Sequence, residues 1–245
     1  MNIIGIIPAR MASTRFPGKP LVMIGQKSMI VRVAYQALKA RNLNRVLVAT
    51  DDKKIADHVS KAGIDAVLTS PGHESGSDRL GEVAESISAD IYVNIQGDEP
   101  FIAPELIDAS VLGLIENTQW DVVTTASRFN TKEDWHNPNR VKVLCSDSMN
   151  ALYFSRQPIP YTKRNKVPPN VYCHQGLYAY RENALNTLKM LPPHPVEIEE
   201  SLEQLRLLMA GFRFGVILSE YDSPAVDVPE DLKRIEKWMK KKHIQ

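Results

Sequence analysis

The chain has 245 residues, of which 43% are hydrophobic and 24% are charged, a composition typical of a globular protein with a sizeable core. Thirty Lys and Arg against 29 Asp and Glu leave a formal charge of +1, so no overall field attracts nucleic acid or a membrane surface. Any binding site for an anion must therefore be local.

The sequence predicts a cytoplasmic protein. No apolar run approaches the roughly 20 residues that span a bilayer. The N-terminus, MNIIGIIPAR, has too short an apolar segment and no basic leader for a signal peptide. Cys145 and Cys173 show no C-x-x-C or Cys/His ligand spacing, so we expect reduced, partly buried thiols rather than a disulfide or a zinc site.

In the first half of the chain, short apolar runs alternate with helical patterns. In chain order they are NIIGIIPA, MIVRVAYQALKARN, RVLVATD, KKIADHVSKAG, DAVLTS, DRLGEVAESI and DIYVNIQGD. This βαβαβαβ order needs crossover connections, which predicts an α/β fold with a mainly parallel sheet and helices on both faces. Ligands of such sheets bind beyond the carboxyl ends of the strands, so the loops that follow the strands are the first candidates for a site.

The second half is rich in aromatic and β-branched strand-like segments, namely VKVLCSD, ALYFSR, HQGLYAYR and FRFGVIL. We expect these segments to extend the sheet and to contribute a small lid or dimerisation region rather than to fold alone. The tail, LKRIEKWMKKKHIQ, is typical of an amphipathic helix. The prediction is a single domain over residues 1–245, with functional halves at 1–125 and 126–245.

The loop after the first strand, PARMASTRFPGKPL, contains three cations: Arg10, Arg15 and Lys19. Clustered cations and free backbone N–H groups suit a polyphosphate. Neither G-x-x-x-x-G-K-[ST] nor G-x-G-x-x-G is present, so the charge would come from side chains held by prolines. The alternative is three unrelated surface cations, and the local sequence does not decide between the two interpretations.

Two separated carboxylates favour the polyphosphate interpretation. Asp98, in NIQGDEP, follows a buried strand directly, and Gly97 lets the backbone turn there. Asp227, in SPAVDVPEDLKR, precedes a predicted helix. Each has an ordinary alternative role, Asp98 as a turn residue and Asp227 as a helix cap. Because Mg²⁺ usually takes one or two carboxylates plus substrate phosphates, the set forms a coherent hypothesis of a nucleotidyl transfer site.

The chain as a whole resembles a known family. The motifs IPARMASTRFPGKPL, ATDD, ESGSDRL, VNIQGDEP, ALYFSRQPIP, HQGLYAYR, LEQLR and VDVPEDL occur in the order and spacing of the 3-deoxy-manno-octulosonate cytidylyltransferases, or CMP-Kdo synthetases. The resemblance covers essentially the whole chain. It implies a Rossmann-like nucleotidyltransferase, usually a homodimer, that joins CTP and Kdo to give CMP-Kdo and pyrophosphate with Mg²⁺, for lipopolysaccharide synthesis in Gram-negative bacteria.

The resemblance also implies roles for individual positions. The positions that hold the triphosphate in the family correspond to Arg10, Arg15 and Lys19. Those of the cytosine-reading loop correspond to Ser75, Gly76 and Arg79, and those of the magnesium ligands to Asp98 and Asp227. The positions that line the sugar pocket in the family correspond to Gln96, Arg156, His174, Tyr178, Glu203 and Gln204. The residues expected to act in catalysis are Arg10, Lys19, Asp98 and Asp227. Without the family, His174 would be interpreted as a structural histidine between strands.

Three departures from the family pattern bear on the sugar. Ser77, Gln175 and Val228 stand where Thr, an aliphatic residue and Thr are common. They leave the choice of sugar open: the chain could instead activate 8-amino-3,8-dideoxy-manno-octulosonate or be another CMP-sugar synthetase. A catalytically silent nucleotide-binding module is the alternative from another class, while a basic stripe with interleaved aromatics, as in nucleic-acid binders, is absent. The dimer interface is predicted around residues 130–175.

Overall fold

The structure is a computed structural model that describes residues 1–12, 16–73, 75–163, 166–221 and 224–242. Its strands are β1 (Ile3–Ala9), β2 (Met23–Ile24), β3 (Lys27–Ser28), β4 (Arg45–Thr50), β5 (Asp65–Leu68), β6 (Ile91–Asn94), β7 (Val122–Ser127), β8 (Lys142–Cys145), β9 (Ala151–Ser155), β10 (Val171–Arg181) and β11 (Phe214–Leu218).

The α-helices alternate with these strands in the first part of the chain. They are α1 (Met29–Ala37), α2 (Lys53–Lys61), α3 (Gly76–Ser86), α4 (Pro104–Glu116), α5 (Lys132–His136), α6 (Glu182–Met190), α7 (Pro195–Glu200), α8 (Gln204–Met209) and α9 (Asp231–Lys242). In the described ranges, none of the helices combines the length and the apolar character needed to cross a bilayer.

The described residues form two compact units, one from residues 1–108 and 221–245 and one from residues 109–220. The C-terminal segment therefore folds with the N-terminal unit, although the sequence analysis grouped it with the second half. Asp227 and the candidate ligands near the start of the chain consequently belong to the same compact unit.

The first unit contains parallel strands in the order β6-β1-β4-β5. Every residue of β6 and almost every residue of β1 is buried, as expected for strands covered on both faces. The predicted βαβαβαβ order is confirmed, with the addition of the short β2-β3 hairpin before α1. Crossover helices thus place the carboxyl ends of these strands at one edge.

The C-terminal helix α9 completes a separate apolar cluster of the first unit. Ile235 and Met239 of this helix pack in a cluster with Ile24, Met29, Phe101 and Val226. Trp238 lies on the Phe101 ring, with ring centroids 4.8 Å apart. The amphipathic helix predicted for the tail is confirmed, and its apolar face is what brings the segment preceding it back to the first unit.

The second unit has a mixed sheet. Strand β7 pairs in parallel with β11 and antiparallel with β10, while β8 pairs antiparallel with both β10 and β9. The four strand-like segments predicted in this half are confirmed, whereas β7 was not predicted. The stretch around the LEQLR motif forms two helices, α7 and α8, because Ser201 adopts a left-handed conformation with φ of 52° between them.

Close packing in the second unit makes Gly215 a sensitive position. A Cβ at residue 215 would lie 2.2 Å from the Trp120 ring, and that ring is anchored by its Nε1, which donates to Asn150 Oδ1 at 2.7 Å. Gly215→Ala is therefore expected to lower the free energy of unfolding by about 1–3 kcal/mol, in urea unfolding, because a buried aromatic ring has to move.

Gly72 provides the matched control for this substitution. A Cβ at residue 72 would lie 3.5 Å from the nearest atom, Ser70 Oγ, which is an ordinary contact. Gly72→Ala should leave the unfolding midpoint nearly unchanged, and an equal loss of stability in both variants would contradict the packing argument.

Candidate active site

The turn after β6 presents Asp98 close to the end of β1. A Cβ on Gly97 would lie 2.7 Å from the backbone oxygen of Pro8, so only glycine allows the turn to pass this close. Asp98 stands four residues after the last residue of β6, and its side chain is 30% exposed. The sequence correctly identified this turn as an edge where a carboxylate is displayed.

The loop after β1 folds back to bring Lys19 to the same edge. Gly18 has φ of 72°, a left-handed conformation that favours glycine, and its N–H donates to the carbonyl of Met11 at 3.2 Å. Lys19 then begins a short 3₁₀ turn. Arg10 directly follows β1 and is exposed, while Arg15 lies outside the described residues.

The Lys19 ammonium is the centre of this site. Its Nζ donates to Asp98 Oδ2 at 2.8 Å and to the carbonyl of Val226 at 2.8 Å, and it lies 3.8 Å from Asp227 Oδ1. The side chain of Lys19 is only 16% exposed. Two carboxylates that are 129 positions apart in the chain therefore converge on one cation.

Backbone contacts fix the position of Asp227. The N–H of Val226 donates to the carbonyl of Asp98 at 2.9 Å. Asp231 Oδ2 accepts from the backbone N–H groups of Asp227, at 2.8 Å, and Val228, at 3.1 Å. Asp231 is the first residue of α9, so its carboxylate binds the segment that carries Asp227 to the start of that helix.

Asp231 is held as a carboxylate by these contacts. Partial burial acts to raise its pKa, but the two backbone donors and the charges of Arg234 and Lys19 outweigh this effect and lower the pKa below its usual value. Asp231 therefore remains a strong acceptor that keeps the segment with Asp227 in place.

The residues at this edge fit a hard divalent cation. Carboxylate oxygens are the donors that Mg²⁺ prefers, and the two carboxylates already surround a positive charge. In the described part of the chain, no cluster of three or more Asp, Glu, His or Cys side chains forms a self-contained metal site. Asp98 and Asp227 would leave the other coordination positions to water and phosphate oxygens, as is usual for Mg²⁺.

Glu99 is an ionisable neighbour that the sequence analysis did not single out. Burial, with the adjacent Asp98 charge adding to it, raises the pKa of Glu99 to about 8. Its carboxyl therefore holds a proton near neutral pH, and the site has one fewer negative charge than the QGDEP sequence suggests.

The three residues matched to cytosine recognition lie together at the start of α3. Ser75 caps this helix, because its Oγ accepts from the N–H of Asp78 at 3.1 Å. A Cβ on Gly76 would lie 3.2 Å from Pro8 Cγ, so the first turn of α3 packs beside the end of β1. The helix N-terminus, rather than an isolated loop, thus forms this part of the edge.

Arg79 has a structural task in this region. The side chain is almost fully buried, and its guanidinium donates to the Thr69 hydroxyl and lies 3.3 Å from Asp51 Oδ2. Arg79 consequently ties the loops after β4 and β5 to α3. Asp51 and Thr69 carry no local sequence signal for this role, since the contact joins two separate loops to α3.

The sugar residues predicted by resemblance fall in both units. Gln96 is half-buried in the QGDEP turn of the first unit, two residues before Asp98. The other members, Arg156, His174, Tyr178, Glu203 and Gln204, belong to the second unit.

Arg156 is held by hydrogen bonds of its backbone and of its guanidinium. The backbone N–H of Arg156 donates to Glu200 Oε2 at 2.7 Å, and its guanidinium Nε donates to the backbone carbonyl of Glu200 at 2.7 Å. The two terminal nitrogens donate to the carbonyls of Pro138 and Ser201, each at 3.2 Å. The buried ammonium of Lys142 in turn holds the Arg156 carbonyl at 2.7 Å. Three of the five guanidinium N–H groups therefore serve the fold, and two remain for other contacts.

His174 is a neutral histidine with an assignable tautomer. Its Nε2 lies 2.9 Å from Thr124 Oγ1, and the single hydroxyl proton of Thr124 has a carbonyl acceptor, Leu177, at 2.9 Å. His174 Nε2–H thus donates to Thr124, which leaves Nδ1 as the acceptor nitrogen. Burial lowers the pKa of His174 to about 3, so the ring carries no charge at neutral pH.

Tyr178 lies on the same face of β10 as His174. Their ring centroids are 5.4 Å apart, and Tyr178 stacks on Tyr180 at 5.6 Å, as side chains two residues apart on a strand can do. Burial, with the nearby charges of Tyr180 and Glu203 adding to it, raises the pKa of Tyr178 well above its usual value. Its hydroxyl therefore keeps its proton and can act as a donor.

Unpartnered polar atoms occur near the same segments. Gln204 is 6% exposed, and its Nε2 has no hydrogen-bond acceptor within the described structure. His174 pairs across the sheet with Ala126 and Gln175 pairs with Thr125, so the two side chains point to opposite faces. An orphaned buried donor such as that of Gln204 suits a ligand that brings an acceptor.

An ion pair that the sequence analysis missed supports this region. Arg206 donates from Nε to Glu197 Oε2 at 2.8 Å and from Nη2 to Glu197 Oε1 at 2.5 Å, a bidentate arrangement between α8 and α7. Both side chains are largely buried. The pair fixes the two short helices that carry Glu200, Glu203 and Gln204.

Comparisons with known proteins agree over nearly the whole chain. The family model described as "Cytidylyltransferase" matches residues 4–219. A 3-deoxy-manno-octulosonate cytidylyltransferase from Chloroherpeton thalassium is 43% identical over 99% of both chains. The one from Leptospira biflexa is 45% identical over 99% of this chain and 98% of its own.

Solved structures agree as well. A CMP:2-keto-3-deoxy-manno-octonic acid synthetase complexed with CTP has a TM-score of 0.94 and 38% identity, covering 99% of this chain and all of that chain. A glucose-1-phosphate thymidylyltransferase described as putative, from Bacillus anthracis, has a TM-score of 0.70 at 17% identity, over 96% of this chain and 94% of its own. The second likeness concerns the fold alone, and together they confirm the predicted Rossmann-like nucleotidyltransferase fold class.

The neutral state of His174 predicts a specific pH dependence of stability. Between about pH 3 and the ordinary histidine pKa of about 6.5, the unfolded chain binds a proton at residue 174 and the folded protein does not. The free energy of unfolding should therefore fall by roughly 1.4 kcal/mol per pH unit as the pH is lowered below about 6.5.

His174→Gln removes the titrating ring and should remove this component. Urea unfolding at pH 5, 6 and 8 compares the two proteins, and the pH 8 value serves as the control for lost packing. Parallel pH profiles for the variant and the wild-type protein would contradict the assignment of a buried neutral imidazole.

The Glu197–Arg206 pair predicts an asymmetry between single and double variants. Arg206→Met leaves the Glu197 carboxylate buried without its partner and is expected to cost about 3–5 kcal/mol of stability. Adding Glu197→Gln removes that charge, so the double variant should regain part of the loss in urea unfolding. A double variant no more stable than Arg206→Met would show that packing, not the unpaired charge, dominates.

Proposed function

The chain belongs to the 3-deoxy-manno-octulosonate cytidylyltransferase family, and from this premise we propose that it transfers CMP from CTP to 3-deoxy-D-manno-octulosonate (Kdo), releasing pyrophosphate. The observation that carries the proposal is the convergence of Asp98, Asp227 and Lys19 at the carboxyl edge of the first unit. In the reaction, the anomeric oxygen forms a bond to the α-phosphorus, the bond to the β-phosphate oxygen breaks, and the hydroxyl proton passes to solvent.

Magnesium is the metal we propose, with Asp98 and Asp227 as its protein ligands. When bound, Mg²⁺ supplies charge neutralisation for the phosphates and lowers the pKa of a coordinated hydroxyl, so no dedicated general base is required. The support from this chain is the donor set itself, two carboxylates gathered around a cation.

The nucleotide is assigned to the first unit. Arg10 and Lys19, with Arg15 outside the described residues, would neutralise the charge that grows on the departing pyrophosphate. Ser75 and Gly76 open α3, where backbone N–H groups are directed outward. Because Arg79 is hydrogen-bonded to neighbouring loops, we propose that it shapes the cytosine site and that backbone groups read the base.

The sugar is assigned to polar groups of the second unit, and Gln96 of the first unit is a further sugar residue that the family resemblance implies. Neutral His174 would accept a hydrogen bond from a sugar hydroxyl at Nδ1, and Tyr178 would donate a hydrogen bond from its protonated hydroxyl. Arg156, with two N–H groups not used by the fold, would meet the sugar carboxylate. Glu203 and Gln204 would contact the polyol, and the unpartnered Nε2 of Gln204 supports that role.

The cellular setting is part of the same proposal. We place the enzyme in the cytoplasm, where CTP is available, and its two buried free thiols, Cys145 and Cys173, suit a reducing compartment. We further propose that residues 1–245 act as a single nucleotidyltransferase domain, that the enzyme is a homodimer through segments around residues 130–175, and that CMP-Kdo feeds lipopolysaccharide synthesis. Its partners are small molecules and a second copy of itself, not nucleic acid or a membrane.

Pyrophosphate release from CTP tests the proposal directly. With Mg²⁺ and Kdo the wild-type protein should turn over, and Asp98→Asn should lower kcat/KM by at least about 100-fold, because a ligand of the metal that stabilises the transition-state charge is lost. Asp57→Asn, at an exposed carboxylate paired with Lys53, is the matched control and should retain activity.

The choice of sugar is tested in the same assay with 8-amino-3,8-dideoxy-manno-octulosonate. Turnover with Kdo and little with the amino sugar is the expected result. Turnover only with the amino sugar would overturn the sugar assignment, and no magnesium-dependent pyrophosphate release with either would overturn the enzyme assignment.

A further inference from the structure

The Lys19 ammonium occupies the position between the two proposed metal ligands. It makes a short contact to Asp98, at 2.8 Å, and a longer one to Asp227, at 3.8 Å. A divalent cation bound by the same two carboxylates would lie within a few Å of this ammonium. Two positive charges that close repel each other, so the ammonium opposes binding of the metal.

We propose that Lys19 is an internal counter-cation that occupies the carboxylate pair until the triphosphate draws it away. In this arrangement Lys19 suppresses binding of a divalent cation alone and makes metal and triphosphate binding cooperative. The inference rests on the proposed function, because it takes Asp98 and Asp227 as metal ligands and the triphosphate as the alternative partner of Lys19.

The alternative is that Lys19 has only a structural role and holds the C-terminal segment against the N-terminal part of the first unit. That segment has anchors of its own: Val226 N–H donates to the Asp98 carbonyl, and Val226 is buried in the cluster formed with α9. Asp231 independently holds the backbone on both sides of the Asp227 carbonyl. Placement of Asp227 therefore does not require the ammonium.

The chemistry of lysine suits an exchangeable contact. Its compact ammonium sits on a four-carbon stem with free rotation, and it pairs with carboxylate or phosphate as a point charge. Lys19 has two charged partners and one carbonyl partner here, so a triphosphate with more negative charge can compete for it. Each ligand thereby favours the other, which is a coupling free energy between adjacent sites.

Binding of Mn²⁺ without nucleotide tests the inference independently of turnover. Free Mn²⁺ is measured by electron paramagnetic resonance during titration of the full-length protein. Lys19→Met should bind Mn²⁺ at least about 5-fold more tightly than wild-type protein, because the competing charge is gone. Lys19→Arg keeps a cation and should stay close to wild type.

Lys53→Met is the matched control, since Lys53 also pairs with a carboxylate, Asp57 at 2.7 Å, but on the exposed surface of α2. Its Mn²⁺ affinity should equal that of wild type. Circular dichroism checks the fold of each variant, and Lys19→Gln replaces Lys19→Met if the latter does not fold.

Unchanged or weaker Mn²⁺ binding in the Lys19 variant would overturn the inference. Asp98→Asn separates this failure from failure of the proposed function. If Asp98→Asn abolishes Mn²⁺ binding while Lys19→Met leaves it unchanged, the metal site stands and the coupling is wrong. If Asp98→Asn has no effect on Mn²⁺ binding in either background, the metal assignment itself is wrong.

Discussion

The return of the C-terminal segment to the first unit is the constraint on which the candidate site depends. The backbone pairing of Val226 with Asp98 and the apolar face of α9 bring Asp227 to a turn that the chain made 129 residues earlier. Two carboxylates placed so near each other would repel, and Lys19 offsets that repulsion. The apolar cluster supplies the driving force, and the ammonium makes the resulting charge arrangement tolerable.

In the second unit, buried polar side chains mainly hold in place the groups that are proposed to bind the sugar. Glu200 and Lys142 hold the backbone and side chain of Arg156, and the bidentate Glu197–Arg206 pair holds the helices around it. Such buried charges cost desolvation free energy, which hydrogen bonds must offset, so they are weak sources of stability. Their benefit here is orientation: few rotamers are left to order when a ligand binds.

Protonation states in this unit follow mainly from burial, with neighbouring charge adding to its effect at Tyr178. His174 is neutral because its ring is shielded, and Tyr178 keeps its proton for the same reason. In the proposed sugar pocket, these two neutral groups would recognise hydroxyl groups by geometry, and Arg156 would meet the carboxylate. In the first unit, protonated Glu99 likewise keeps negative charge from accumulating beside Asp98.

The sequence by itself determined the order of elements, the parallel arrangement of the first strands and the turns that display Lys19 and Asp98. Periodicity and glycine placement are local, and they carry this information without tertiary contacts. The family motifs added the assignment of sugar residues, of which His174 and Tyr178 share a face as strand alternation requires. β7, the break between α7 and α8 at Ser201, and the contacts of Arg79 and Arg206 had no comparable local signal.

Only the tertiary structure decided which charges meet. Asp227 looked like a helix cap in its local sequence, but its carboxylate lies 3.8 Å from Lys19 Nζ and its own backbone N–H donates to Asp231 Oδ2. Likewise, Arg79 looked available for a ligand until its partners on two other loops were visible. The physical reason is that side-chain pairing depends on distances between segments remote in sequence, and these distances are set by packing of the sheet and of α9, not by any local pattern.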